Sequence, residues 1–163
     1  MAINLCFKHT NIYKLEDKKM NLKNYTSTVL PEKSIMLIEK LLVDAGAMNI
    51  SKWYVDGEIS GMAFQVEVNG KPISFKLPAK SELVFKELKK GYKRWNESAE
   101  ETCKKQAQRT AWKLLFDWVQ IQVSMILLNQ VEFMEVFLPY AFDGKQTFFE
   151  VLKEKNYKGL LPA

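Results

Sequence analysis

From Ser98 to Asn129 the chain keeps one apolar period without a break, and no other stretch restricts its fold as much. Cys103, Ala107, Ala111, Leu114, Trp118, Ile121, Met125 and Leu128 follow at spacings of three or four, which sets them on one side of a 3.6-residue helix. Ser98, with Glu101 three residues later, predicts a capping box at the start. Glu100 and Glu101 place negative charge at the positive end of the helix dipole, and Asn129 predicts the stop. At 1.5 Å per residue the helix runs roughly 45 Å, longer than a small domain is wide, so it must project or pair with something. Its halves differ. Lys104, Lys105, Gln106, Gln108, Arg109 and Lys113 give the first half a wet, basic face, whereas Trp112, Phe116, Val119, Val123, Ile126 and Leu127 make the second apolar nearly all round and predict its burial, in the monomer or against a second subunit. Asp117, Gln120 and Gln122 interrupt that half, and a membrane span needs about 20 apolar residues, so no membrane partner is expected.

Upstream, Pro31 opens another helix, since its fixed φ suits the first helical position. Ile35, Ile38, Leu41, Leu42 and Ala45 form its apolar face, and Gly46 supplies the left-handed residue that ends it. Asn69-Gly70 is a strong two-residue hairpin signal because both positions tolerate positive φ. That loop sets Val66 opposite Ile73, Phe64 opposite Phe75 and Met62 opposite Leu77 on one face, with Gln65 opposite Ser74 and Ala63 opposite Lys76 on the other. A one-residue slip would send the apolar set to the wrong side. Ile50 to Val55, closed by Asp56-Gly57, predicts a third strand, and Pro78 ends the sheet. Residues 79–97 form a basic connector, either a short helix from Ser81 to Lys90 stopped by Gly91 or a mobile loop.

Past the long helix, Val131 to Leu138 predicts a short helix with Phe133, Met134 and Phe137 inward, ended by Pro139. Asp143-Gly144 predicts a turn. Thr147 with Glu150 is a second capping box, opening a terminal helix in which Phe148, Val151 and Leu152 pack and which Gly159 ends. The fold class is α+β: a helix on a three-stranded antiparallel β-meander, followed by a long helix and short C-terminal helices.

At 163 residues and 47% apolar, one domain is the expectation, able to bury roughly two-thirds of its unfolded surface. Residues 1–30 hold no sustained period and predict a disordered leader, which leaves 31–163 as the domain. Met20 offers an alternative start, which would place the only histidine, His9, in an upstream extension. The leader lacks the apolar run and cleavage site of a secretory signal. Cys6 and Cys103 make neither a disulfide framework nor a metal signature, so free thiols in the cytoplasm are expected.

Enzyme signatures are scarce. The sequence has no glycine-rich phosphate loop, no clustered Cys or His for zinc and no Gly-x-Ser-x-Gly turn, so no cofactor or metal is expected. A metal-dependent nuclease would need an Asp on one strand and a Glu-x-Lys on the next; Asp56 and Glu67 are available, but Ile73 to Leu77 carries no acid. Glu100 and Glu101 are explained by their helix start and Asp143 by its turn. The expectation is a protein without catalytic residues.

The helix ending in Gly46-Ala47, the Phe75-Lys76-Leu77-Pro78 hairpin end, the Gln108-Arg109-Thr110-Ala111-Trp112 segment, the Phe137-Leu138-Pro139 and Asp143-Gly144-Lys145-Gln146-Thr147 turn and the Leu160-Leu161-Pro162 end together resemble small bacteriophage and prophage proteins. The resemblance runs from about Thr28 to Ala163 and rests on the order of these motifs. It implies an intracellular role during infection, favours nucleic acid, and carries no catalytic residue over. The extended N-terminus and the shorter basic connector depart from the pattern.

Charge ranks the functions. The net charge is +5, while Lys76 to Lys113 holds nine Lys and two Arg against five Glu, a local +6 that leaves −1 for the rest. A localised basic segment is the footprint of a phosphate-bearing partner, though solvated surfaces produce such runs too. The expected nucleic-acid surface takes Lys89, Lys90, Lys93, Arg94, Lys105, Arg109 and Lys113 for phosphates and Tyr92 and Trp95 for stacking, with Trp53 or Tyr54 on a sheet face away from the core as a further aromatic, a combination that favours single strands. The rival is a protein-interaction module that binds a host or defence protein or forms a homodimer. It rests on the apolar half of the long helix and on Phe133, Phe137, Tyr140, Phe142, Phe148 and Phe149. Four or more of those six exposed in the monomer favours the rival; a basic, aromatic-lined groove favours nucleic acid.

Overall fold

The computed structural model describes residues 22–160. Helix α1 (Pro31–Asp44) is followed by strands β1 (Asn49–Val55), β2 (Glu58–Val68) and β3 (Lys71–Lys76), then α2 (Ser81–Lys89), α3 (Glu97–Leu127), α4 (Phe133–Phe137), a 3-10 turn over Leu138–Tyr140 and α5 (Phe148–Glu154). The sheet is antiparallel in the order β1-β2-β3. Both hairpin loops take left-handed backbone, Asp56-Gly57 at φ 50° and 80° and Asn69-Gly70 at 52° and 75°, the mirror-image turn that matches strand twist. The β2–β3 register is the one read from the sequence, with Phe64 opposite Phe75, Val66 opposite Ile73 and Ala63 opposite Lys76.

One sheet face carries the core. Phe64 and Phe75 stack at 5.4 Å between centroids, and Phe137 and Phe133 meet them edge-on at 5.6 and 5.2 Å. Ile35, Ile38 and Leu42 of α1 and Trp112, Leu115, Val119 and Val123 of α3 complete the cluster. On the opposite face Asn49, Gln65 and Ser74 hydrogen-bond side chain to side chain across the three strands, at 2.9 and 3.0 Å. The outer edge of β3 is covered: the Phe142 N–H donates to the Ser74 carbonyl at 2.8 Å, and Ala141 bridges to Phe75.

Four local expectations are corrected. The cap of α3 is Asn96, whose Oδ1 accepts from the Ala99 N–H at 2.8 Å, two residues before Ser98; the amide reaches the third N–H from an extended backbone, while the Ser98 carbonyl accepts from the Thr102 hydroxyl inside the helix. The buried face of α3 follows Cys103, Ala107, Ala111, Leu115, Val119 and Val123, while Ile121 and Leu128 stand 53% and 68% exposed. Helix α5 ends at Glu154, well before Gly159, because Asn156 and Tyr157 take left-handed φ of 49° and 57°. Pro139 lies inside the 3-10 turn that continues α4, where a proline is tolerated in the first turn.

The 79–97 connector resolves as the short helix α2 packed along α3, with the Cys103 Sγ 3.9 Å from the Phe85 carbonyl. Of the leader, Met1 to Asn21 lies outside the described residues. Leu22 to Leu30 lies against α3: the Thr110 hydroxyl donates to the Asn24 carbonyl at 3.0 Å, and the Gln106 amide donates to the Tyr25 and Ser27 carbonyls at 2.9 and 3.0 Å.

Candidate functional site

The expected basic residues fall in two places. Lys89, Lys90, Tyr92, Lys93, Arg94 and Trp95 sit together where the end of α2 turns into α3. Trp95 meets Phe85 at 5.9 Å and Tyr92 at 5.4 Å between centroids, both edge-on, and the Lys89 ammonium lies 4.5 Å from the Trp95 ring centre. Trp95 is thus half-buried and held from several sides, while Tyr92, Lys93 and Arg94 are exposed. Lys90 pairs with Glu87 at 2.7 Å. From Lys76 to Trp95 the chain has seven cations against two carboxylates, and Lys90 is the only one of the seven in an ion pair among the described residues.

Lys105, Arg109 and Lys113 lie elsewhere. Cys103 faces α2, and two residues further on is a rotation of about 200° around a helix, so Lys105 points away from the α2–α3 corner. Lys105 pairs with Glu101 at 2.6 Å, and the Arg109 guanidinium donates to Gln106 Oε1 at 3.3 Å. Both line a cavity of about 560 Å³ with Tyr54, Glu58 and Trp112, where Gln108 donates to Glu58 at 3.0 Å. Lys113 is committed to Asp117, whose carboxylate also accepts from Asn24 Nδ2 at 2.9 Å and pairs with Lys23 at 3.0 Å. Burial alone would raise the Asp117 pKa, but its hydrogen bonds from Lys113, Asn24 and Lys23 outweigh that and lower it to about 2. This cluster ties the segment before α1 to the long helix.

A third place holds Trp53, on the sheet face away from the core as expected, together with residues that the sequence does not bring to it. A groove of about 690 Å³ opens where β3 ends and α2 begins, facing the 3-10 turn and α5. Trp53, Tyr140 and Phe149 supply aromatic walls, and Lys76, Lys80 and Lys153 supply cations. Trp53 owes its place to Gly61, its cross-strand partner: a Cβ on Gly61 would come within 2.2 Å of the indole. Beside them the pairing skips Ser60 in a bulge. The Lys76 ammonium stands between two rings, 5.6 Å from the centre of Trp53 and 5.3 Å from that of Phe142. Of the two carboxylates at the groove, Glu150 is spent in the α5 capping box, accepting the Thr147 N–H at 2.7 Å and its hydroxyl at 3.0 Å. Those bonds, with the nearby Lys76 and Lys80, hold the Glu150 pKa below its ordinary value. The hairpin register already places Lys76 on the sheet's outer face, but Tyr140, Phe149 and Lys153 reach the groove only through tertiary packing.

Asp56 sits in a hairpin loop and Glu67 on β2, and among the described residues no three His, Cys, Asp or Glu side chains converge to hold a metal. No described helix is long and apolar enough to cross a membrane. Fold and site together define an α+β domain with a long spine helix, a basic aromatic corner and a lysine-rich groove. No protein-family model, curated protein or solved structure matches the chain.

Proposed function

We propose that this chain is a non-enzymatic, nucleic-acid-associated protein of phage type acting in the cytoplasm, with the α2–α3 corner as its contact surface. The observation that carries the reading is the run from Lys86 to Trp95, where four of five cations have no carboxylate partner among the described residues and Tyr92 and Trp95 stand within the run. Unpaired Lys and Arg exchange bound counterions for phosphates, and an exposed aromatic ring beside them gives unpaired bases a face to stack on. Lys89, Lys93 and Arg94 are the principal phosphate contacts. Lys90 contributes by exchanging its exposed carboxylate partner, Glu87, for a phosphate, while Lys105, Arg109 and Lys113, on the far side of α3, stand outside this surface. Two of the six tail aromatics, Phe148 and Phe149, are exposed, fewer than the protein-interaction reading requires, and the groove is basic and aromatic-lined.

Fluorescence anisotropy with a labelled single strand and its duplex at two salt concentrations tests the reading. Binding tighter than about 1 µM at low salt that weakens steeply with salt, and that Lys93→Gln with Arg94→Gln reduces, supports it. No binding at low salt overturns it. A second reading, an interaction module that binds a host protein or a second copy, draws on one observation: Ile121, Leu127 and Leu128 stand 53–69% exposed at the end of α3. Sedimentation velocity showing only monomer, with no change on Ile121→Glu, removes the second-copy form.

A further inference from the structure

We infer that the groove between the end of β3, the start of α2 and α5 is a binding site for a nucleotide: a planar base against the aromatic wall and a phosphate among Lys76, Lys80 and Lys153. A volume of about 690 Å³ lies within the range of small-ligand sites and leaves room for a nucleoside phosphate. Its chemistry is divided as such a ligand requires. The indole of Trp53 is fixed from behind by the bare Gly61 backbone, so it offers a rigid apolar surface at little entropic cost. Phe149, 47% exposed at the end of the chain that closes the groove, offers a second ring.

The cations point to an anion carrying more than one charge. None of Lys76, Lys80 and Lys153 has a carboxylate within ion-pair distance among the described residues, although Glu82 and Glu150 line the same groove. Glu150 is turned into its capping box, so the wall's negative charge is partly consumed internally. The two rings beside Lys76 hold its ammonium in place, which favours a fixed phosphate position over a diffuse counterion cloud. Lys80 comes from the residue before α2 and Lys153 from α5, so three elements converge on one anion.

This site does not depend on the corner binding a polynucleotide. The same chemistry is presented by a free nucleotide and by the phosphorylated end of a strand, and the test separates them. Isothermal titration of the full chain with adenosine and cytidine monophosphates, with adenosine and with inorganic phosphate is compared between the native protein and the double variant Lys80→Gln with Lys153→Gln. Both lysines are exposed, so the fold, checked by circular dichroism, is retained. A monophosphate that binds at least about tenfold more tightly than the nucleoside or phosphate alone, and about tenfold more weakly to the double variant, supports the site. No saturable binding of either monophosphate at millimolar concentration, or binding the double variant leaves unchanged, overturns it. A 5′-phosphorylated oligonucleotide that competes where its unphosphorylated form does not identifies a strand end as the source; competition by neither identifies the free nucleotide. Lys93→Gln with Arg94→Gln leaves monophosphate binding unchanged, so failure of the corner and failure of the groove are told apart.

Discussion

Replacing Asp117 with Asn converts the charge cluster beside α3 into a pH-dependent stability difference. The carboxyl titrates near 2 in the folded chain against 3.8 ordinarily, and its side chain is only 16% exposed, so solvent screens it little. A shift of that size corresponds to roughly 2 kcal/mol of folding stability, since each pKa unit is worth about 1.4 kcal/mol. Because the folded pKa is depressed, the contribution is complete above the unfolded pKa and is lost as pH falls through the folded one. Asn at this position is close in shape to protonated Asp. The native chain is therefore expected to exceed Asp117→Asn by about 2 kcal/mol near pH 6, with the gap closing between about pH 4 and pH 2. Urea unfolding followed by circular dichroism at several pH values measures the difference, and other carboxylates cancel because both proteins share them. A difference that does not change with pH, or one below about 0.5 kcal/mol near pH 6, would refute the assignment of Asp117 as the anchor of Lys113, Asn24 and Lys23.

Two further outcomes probe the groove's framework. Gly61→Ala drives a methyl into the Trp53 ring and is expected to cost about 1–3 kcal/mol in urea unfolding while changing the tryptophan emission. Thr147→Ala removes a capping box in which Thr147 and Glu150 satisfy each other, for a loss of about 1 kcal/mol; a loss near zero would mean that packing alone sets the start of α5.

Local signals carried most of the fold. Asn69-Gly70 and the alternation around it were sufficient for the hairpin register, and Pro31 and Gly46 for the ends of α1, because each acts within a few residues. The start of α3 is ambiguous in the sequence for a related reason: Asn96 and Ser98 are both good caps, and Asn96 takes the role next to a Trp95 held by Phe85 and Tyr92. The basic residues of the candidate site were visible as a run, but their division between the corner and the far side of α3 depends on which face α2 covers. The groove was not legible, because Trp53, Lys76, Tyr140 and Lys153 meet only after the tail folds back over the sheet's end.

The long helix departs from its apolar stripe in one respect that has a physical cause. Read at a period near 3.6, its apolar residues give Leu114, Trp118, Ile121, Met125 and Leu128 as the continuation of the Cys103 face; of these Trp118 does pack against the core, 5.7 Å from Phe137, whereas Ile121 and Leu128 are exposed. The buried residues instead advance by four from Cys103 to Val123, and each such step turns the buried face by about 40°, so over five steps it rotates roughly 200°. A single packing partner could not use such a face; two can. The first half carries small residues, Cys103, Ala107, Thr110 and Ala111, which admit α2 on one side and the Asn24 turn on another. The second half turns Trp112, Leu115, Val119 and Val123 toward α1 and the sheet's aromatic cluster. Since the second half is apolar nearly all round, interrupted only by Asp117, Gln120, Gln122 and Ser124, its composition alone does not choose between the two faces. Two substitutions make the choice measurable: Val119→Ala, at a fully buried position, is expected to cost about 1–3 kcal/mol, whereas Ile121→Ser, at a position 53% exposed, is expected to stay within about 0.5 kcal/mol. The opposite order would restore the 3.6-residue stripe and reverse the side of α3 on which the core lies.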